Sequence, residues 1–178
     1  MAAIPGGSPS GLRWSWLGVA AFLAQLWAVY FAEVEGALGL ARRVLLPSTF
    51  ALLLVFAARN WHLWGVRVMA VGFLLNLLAM SSNGGLMPVS PAEVASVNLT
   101  DRIENVQLGE AVPDSKGILM APREARFWFL SDIVVFPPRS PVARVVSVGD
   151  LAIGLGLAIA AMEVVARSIA EKSIRPYT

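Results

Sequence analysis

Few side chains in this sequence have the chemistry to act on a bound molecule, and two aspartates come first. Asp132 closes the aromatic run "ARFWFLSD", and Asp150 opens a long apolar stretch. Two aspartates brought together at a membrane interface can share a proton and activate water, as a paired-carboxylate hydrolase does. Such a pair must lie within about 8 Å and line an open pocket. Asn76 or Asn83 would be placed to orient it. A structural role accounts for the same residues in another way. Asp150 follows Ser147 and Gly149 at a helix start, where the helix dipole favours an acid. Asp132 then caps or turns the chain. On that reading Asp150 caps its own helix or bonds the intervening segment, with no cleft beside it.

Other reactive types are sparse. Gln25, Asn76 and Glu163 interrupt apolar stretches. The first two suit interhelical hydrogen bonds, and Glu163 is placed to reach water or pair with Arg167. No chain of buried ionisable groups marks a proton path, which argues against a transporter. The only histidine is His62, in a short connection. There are no cysteines, which excludes disulfides and thiolate chemistry. No phosphate loop, dinucleotide fingerprint or zinc pattern is present, so no cofactor and no metal are expected. The net charge is +2 and the basic residues are dispersed, so nucleic acid is not an expected partner.

The elements that position these residues are helices in lipid. The chain is 57% hydrophobic and 15% charged, with a mean hydropathy of +0.67. An ordinary soluble domain carries about 25% charge. Four apolar segments stand out, at residues 14–32, 44–58, 61–80 and 148–166. A spanning helix needs roughly 20 apolar residues. The first, third and fourth reach that length. The second is short between Arg43 and Arg59, but both arginines can snorkel and 38–41 can extend it. Pro47 fits near its first turn. The expectation is an all-α membrane protein forming one domain over residues 1–178. It has four transmembrane helices and a long extracytoplasmic segment, 81–147, between the third and fourth.

Lysine and arginine set the orientation. Both termini and the 59–67 connection share Arg13, Arg59, Arg67, Arg167, Lys172 and Arg175. The other short loop holds Arg42 and Arg43, offset by Glu33 and Glu35. The bias puts the N and C termini in the cytoplasm of a bacterial inner membrane. Trp14, Trp16, Trp61 and Trp64 form an aromatic belt at that side. The first segment is too long for a signal-peptide core and lacks a small-residue cleavage site after it.

The intervening segment begins at "SSNGGLMPVSPAE", residues 81–93. A helix ending at a membrane surface must satisfy its last carbonyls. Gly84 or Gly85 supplies the left-handed conformation that closes it. Asn83, Met87 and Pro88 complete the exit. Ser90 is then an N-cap, Pro91 the first helical residue and Glu93 the partner in a capping box, predicting a short helix over about 91–98. Residues 99–122, broken by Gly109, Pro113, Gly117 and Pro122, predict turns and short extended pieces. The aromatic run 125–138 is too short to span. It is expected to lie in the interface or fold back over the helices.

The stretches "LLNLLAMSSNGGLMPVS", "FLSDIVVFPP" and "VVSVGDLAIGLGLAI" resemble a bacterial family of four-helix membrane proteins known as a domain of unknown function. The resemblance covers roughly residues 14–168 and implies the topology but no activity. Ser131-Asp132-Ile133 and Ser147-Val148-Gly149-Asp150 are also similar to the two aspartate motifs of lipoprotein signal peptidases. That likeness implies catalytic roles for Asp132 and Asp150. The Asn-x-Gly motif of those peptidases follows their first helix, however, whereas Asn83-Gly84-Gly85 follows the third here, and their Gly-Asn-x-x-Asp-Arg segment is absent.

In the last helix, Ala152, Gly156 and Ala160 recur at four-residue spacing, with Gly154 and Ala158 alongside. Small residues so spaced let membrane helices approach closely. Two smooth faces suggest contacts on both sides, inside the bundle or with another chain. The expected partners are therefore the lipid bilayer and other membrane subunits. The leading expectation is a non-catalytic accessory or structural subunit of a larger membrane complex, of the energy-converting kind by analogy. An interfacial aspartyl hydrolase or peptidase using Asp132 and Asp150 is the alternative. A lipid-binding or assembly factor is third.

Overall fold

The computed structural model describes residues 12–31, 36–136 and 144–174. Glu33, Glu35, the double proline at 137–138, Arg175 and the terminal tails lie outside them. Four helices dominate: α1 (Ser15–Tyr30), α2 (Gly36–Arg59), α3 (Trp64–Ser82) and, after the intervening segment, α5 (Val148–Ile174). The segment itself holds β1 (Met87–Val89), the short helix α4 (Pro91–Ser96), β2 (Gly117–Leu119), β3 (Val134–Phe136) and β4 (Arg144–Val146). The chain is mostly helical, but these four short strands qualify the all-α expectation.

Three helices are long and apolar enough to cross a membrane: α2, α3 and Val148–Ala170 of α5. The fourth, α1, is a shorter apolar helix. This reverses the expected order, in which the first apolar segment is long and the second short. The helix α2 runs on through Arg42 and Arg43 to reach 24 residues. This is possible because Arg42 is folded inward, 1% exposed, with Nη2 3.4 Å from the Val112 carbonyl. Pro47 consequently falls in the interior of α2 and not in its first turn. A proline there leaves the carbonyl four residues earlier, that of Arg43, without its helical donor.

The helices pack in chain order, α1 on α2, α2 on α3 and α3 on α5. The α3–α5 contact is the closest. A Cβ on Gly65 would fall 2.1 Å from the Ala160 nitrogen, and one on Gly156 would fall 2.6 Å from the Gly65 carbonyl oxygen. A Cβ on Gly72 would fall 2.5 Å from the Gly149 carbonyl oxygen. Glycine is therefore needed on both helices, in the close-approach mode of membrane packing. Ala160 and Gly156 are buried in this contact and Ala152 is half-buried, whereas Gly154 has nothing within 4 Å and Ala158 is exposed. Gln25 of α1 donates to the Thr49 hydroxyl of α2 at 2.8 Å. Phe22, Leu23, Leu155, Leu157 and Met162 face outward. These apolar surfaces mark a multi-pass membrane protein whose helices contact lipid.

Glu163 does not simply reach water. Its carboxylate accepts from the Trp64 and Gly65 amides at 3.0 and 2.9 Å. It thereby caps α3, whose own N-cap residue, Leu63, offers no side-chain acceptor. Arg167 donates instead to the His62 carbonyl at 3.3 Å.

At the far end of α3, Asn83 donates to the Ala79 and Arg126 carbonyls and accepts from the Arg126 amide. One side chain thus closes the helix and ties down the aromatic run. Gly84 and Gly85 have φ of 72° and 86°, and the Gly85 amide bonds the Met80 carbonyl at 2.8 Å. Leu86, Met87 and Pro88 are fully buried as the chain enters β1. The strand β1 pairs in parallel with β2, and β3 pairs antiparallel with β4. The capping box at α4 is present, with Ser90 and Glu93 bonding reciprocally. The aromatic run forms one tight turn at Trp128–Leu130 that packs Leu130 against α3 and α5. It leaves Phe127, Trp128 and Phe129 exposed.

Candidate binding cleft

Asp150 is fixed from two directions. On its own helix it forms a capping box: its amide donates to Ser147 Oγ at 3.0 Å, and its Oδ2 accepts from the Ser147 amide at 3.2 Å. From α3, the buried Asn76 donates to Asp150 Oδ1 at 2.7 Å and accepts from the Ser147 hydroxyl at 2.8 Å. Gly149 makes room for this. A Cβ there would fall 2.1 Å from Asn76 Oδ1.

The buried β1 strand places the other two members of the site. Its Met87 amide donates to the Lys116 carbonyl at 2.9 Å, and its Pro88 carbonyl accepts from the Asp132 amide at 3.0 Å. Lys116 Nζ then lies 2.5 Å from Asp150 Oδ2 and 3.5 Å from Asp132 Oδ1. Measured end to end through the shared nitrogen, these two carboxylate oxygens are at most about 6 Å apart. The structure thus brings Asp132 and Asp150 together with Asn76 orienting one of them. Asn83 is engaged elsewhere.

Lys116, Asp132 and Asp150 line a cleft of about 430 Å³. Phe22, Leu26 and Val29 of α1 form one wall, and Val94, Val97 and Val112 form another. That volume and mix, apolar walls with a few convergent polar groups, are those of a small-molecule site. The cleft beside Asp150 departs from the structural expectation, although Asp150 also caps its helix as that expectation required.

Burial alone would lower the Lys116 pKa, but Asp132 and Asp150 together hold it above its ordinary value. Burial, reinforced by the charge of Asp150, pushes Asp132 up to about 7, against the opposing pull of Lys116. One ammonium cannot fully compensate two carboxylates in a poorly hydrated place.

Lys116 is the residue that sequence reasoning missed. It sits in a stretch read only as turns. One signal was present: the chain uses arginine almost throughout, and its only lysines are Lys116 and Lys172. Lysine presents a compact point charge on a flexible stem, unlike the planar fork of arginine. Gly65 and Gly72 of α3 also take part in the close contact, outside the small-residue faces expected on α5.

An uncharacterised protein of Thermotoga maritima is 38% identical over 58 residues. That match spans 33% of this chain and 34% of the Thermotoga protein, about a third of its length. No solved structure matches. A family model does match, over residues 10–162, and the chain accordingly belongs to DUF5317, a family of unknown function.

Proposed function

We propose that this is a non-catalytic, four-span protein of the bacterial inner membrane, with cytoplasmic termini, whose outer segment forms a binding site for an amphiphilic molecule. The observation that carries the reading is the cleft of about 430 Å³ between α1 and the intervening segment, lined both by apolar side chains and by the Lys116, Asp132 and Asp150 cluster. A lipid-like ligand has that division of character. Its chain would lie along the outward-facing α1, and its head would meet Lys116, Asp132 and Asp150.

The close aspartates also favour the hydrolase reading, and their separation meets its distance requirement. The position of Lys116 favours binding instead. In a carboxylate pair that activates water, a proton or a water lies between the acids. Here an ammonium stands at that place and holds Asp150 by a short ion pair. Membership of a larger complex has one support, the exposed face around Gly154, and is compatible with a bound lipid.

The test is native mass spectrometry of the full chain after gentle detergent purification. The wild type should carry an amphiphile. Val97→Trp and Leu26→Trp, which fill the cleft from the intervening segment and from α1, should lose it while melting cooperatively. Equal recovery of bound lipid in all three chains would overturn the reading.

A further inference from the structure

We propose that the cleft selects an amphiphile with a cationic ammonium head, for which Asp132 is the acceptor. This rests on the reading of the cleft as an amphiphile site and names the head it takes.

Asp132 is 5% exposed and lines the cleft. Its buried Oδ1 faces one cation, the Lys116 ammonium, in a long ion pair and makes no close hydrogen bond. Lys116 is committed to Asp150 by the shorter contact and stands 3.5 Å from Asp132. A buried carboxylate that shares its only close cation with a second acid is under-compensated, and a further charge-assisted bond would relieve it. The charge of the site points the same way. Among the described residues that line the cleft, the acids Asp114, Asp132 and Asp150 outnumber the bases Lys116 and Arg144.

An ammonium head placed against the Asp132 carboxylate supplies a second cation and offsets that imbalance. A phosphate or carboxylate head would meet three acids, two of them held near each other by one lysine, and would add to the negative charge there. A hydroxyl head would satisfy the hydrogen bond but not the charge. The apolar walls at Phe22, Leu26 and Val97 take the chain whichever head is bound. Head selectivity therefore belongs to Asp132, and affinity for the chain belongs to the walls.

The experiment is isothermal titration calorimetry at pH 8 on the detergent-purified full chain. The probes are dodecylammonium, dodecanol and dodecyl phosphate. The wild type should bind the ammonium probe at least about tenfold more tightly than the phosphate probe, with dodecanol between them. Asp132→Asn should lose the preference for ammonium and keep its binding of dodecanol. The comparison of heads on the wild-type chain needs no variant and decides even if Asp132→Asn misfolds. Equal binding of the three heads, or a preference for phosphate, overturns this inference. If that binding still disappears in Val97→Trp, the cleft remains an amphiphile site. Probe binding unchanged by Val97→Trp overturns both readings.

Discussion

Gly85 lies directly against the backbone carbonyl of Arg43. A Cβ at Gly85 would fall 1.9 Å from that oxygen. The carbonyl is the one that Pro47 leaves without a helical donor. The proline in α2 and the second glycine after α3 therefore fit one another, and the tight exit of α3 is shaped by its neighbour as well as by its own end.

Gly84 and Gly85 should accordingly respond differently to substitution. Both have positive φ, so Gly84→Ala should cost about 1–2 kcal/mol through backbone conformation alone. Its one near neighbour is the mobile end of the Arg43 side chain, at 3.3 Å. Gly85→Ala adds a collision with backbone and should cost clearly more. Thermal melts in detergent would rank the wild type above Gly84→Ala and Gly84→Ala above Gly85→Ala. Equal melting of the two variants would remove the role assigned to the Arg43 contact.

The Asp132 carboxyl makes stability depend on pH with a definite sign. Its folded pKa is about 7, raised from an unfolded value of 3.8. Between those values the native chain holds a proton that the unfolded chain has released, so this group's contribution falls as pH rises across the window. Lys116, shifted upward, loses its contribution only as pH rises through its folded value, above the ordinary 10.5. Asp132→Asn should be more stable than the wild type at pH 8, and the difference should close toward pH 4. Lys116→Met leaves two carboxylates without their cation and should cost about 3–5 kcal/mol at pH 8, recovering part of this in acid. Parallel pH profiles for Asp132→Asn and the wild type would contradict this assignment.

How much of this was legible depended on whether the signal was local. The capped start at Ser90-Pro91-Ala92-Glu93 is written in four consecutive residues, and the structure shows that box. The apolar runs announced their helices for the same reason. The length of α2 was not legible, because it depends on Arg42 folding beneath a loop 70 residues away. The cleft was half legible. Asp132 and Asp150 stand out as acids beside apolar stretches. Lys116 reaches them only through β1 pairing with β2, and three-residue strands leave no periodic trace.

The two small-residue faces of α5 should part company under mutation. Gly156 faces the Gly65 carbonyl and the Met69 nitrogen, both at 2.6 Å from a built Cβ, so Gly156→Leu should force α3 and α5 apart. Gly154 meets nothing within 4 Å, and Gly154→Leu should leave the isolated chain as stable as the wild type or slightly more so, since glycine is a poor helix former. Melting temperatures of the purified chains decide this. Loss of stability in Gly154→Leu would show that a second chain occupies that face in the purified protein.

Sidedness can be read on a chain that contains no cysteine of its own. His62 lies before α3 and Ser96 lies after it, at the end of α4, and both are exposed. If α3 crosses the membrane, cysteines at these positions must label from opposite sides. The basic residues choose which side is which. Arg59 stacks 4.2 Å over Trp14 and Arg67 stacks 4.2 Å over Trp64, placing a cationic, aromatic belt at the His62 end. Such a belt favours the cytoplasmic face. Ser96→Cys should therefore react with an impermeant thiol reagent in intact cells, and His62→Cys only after permeabilisation. The opposite pattern would invert the topology and put the cleft inside the cell. Labelling of both in intact cells would mean that α3 does not cross.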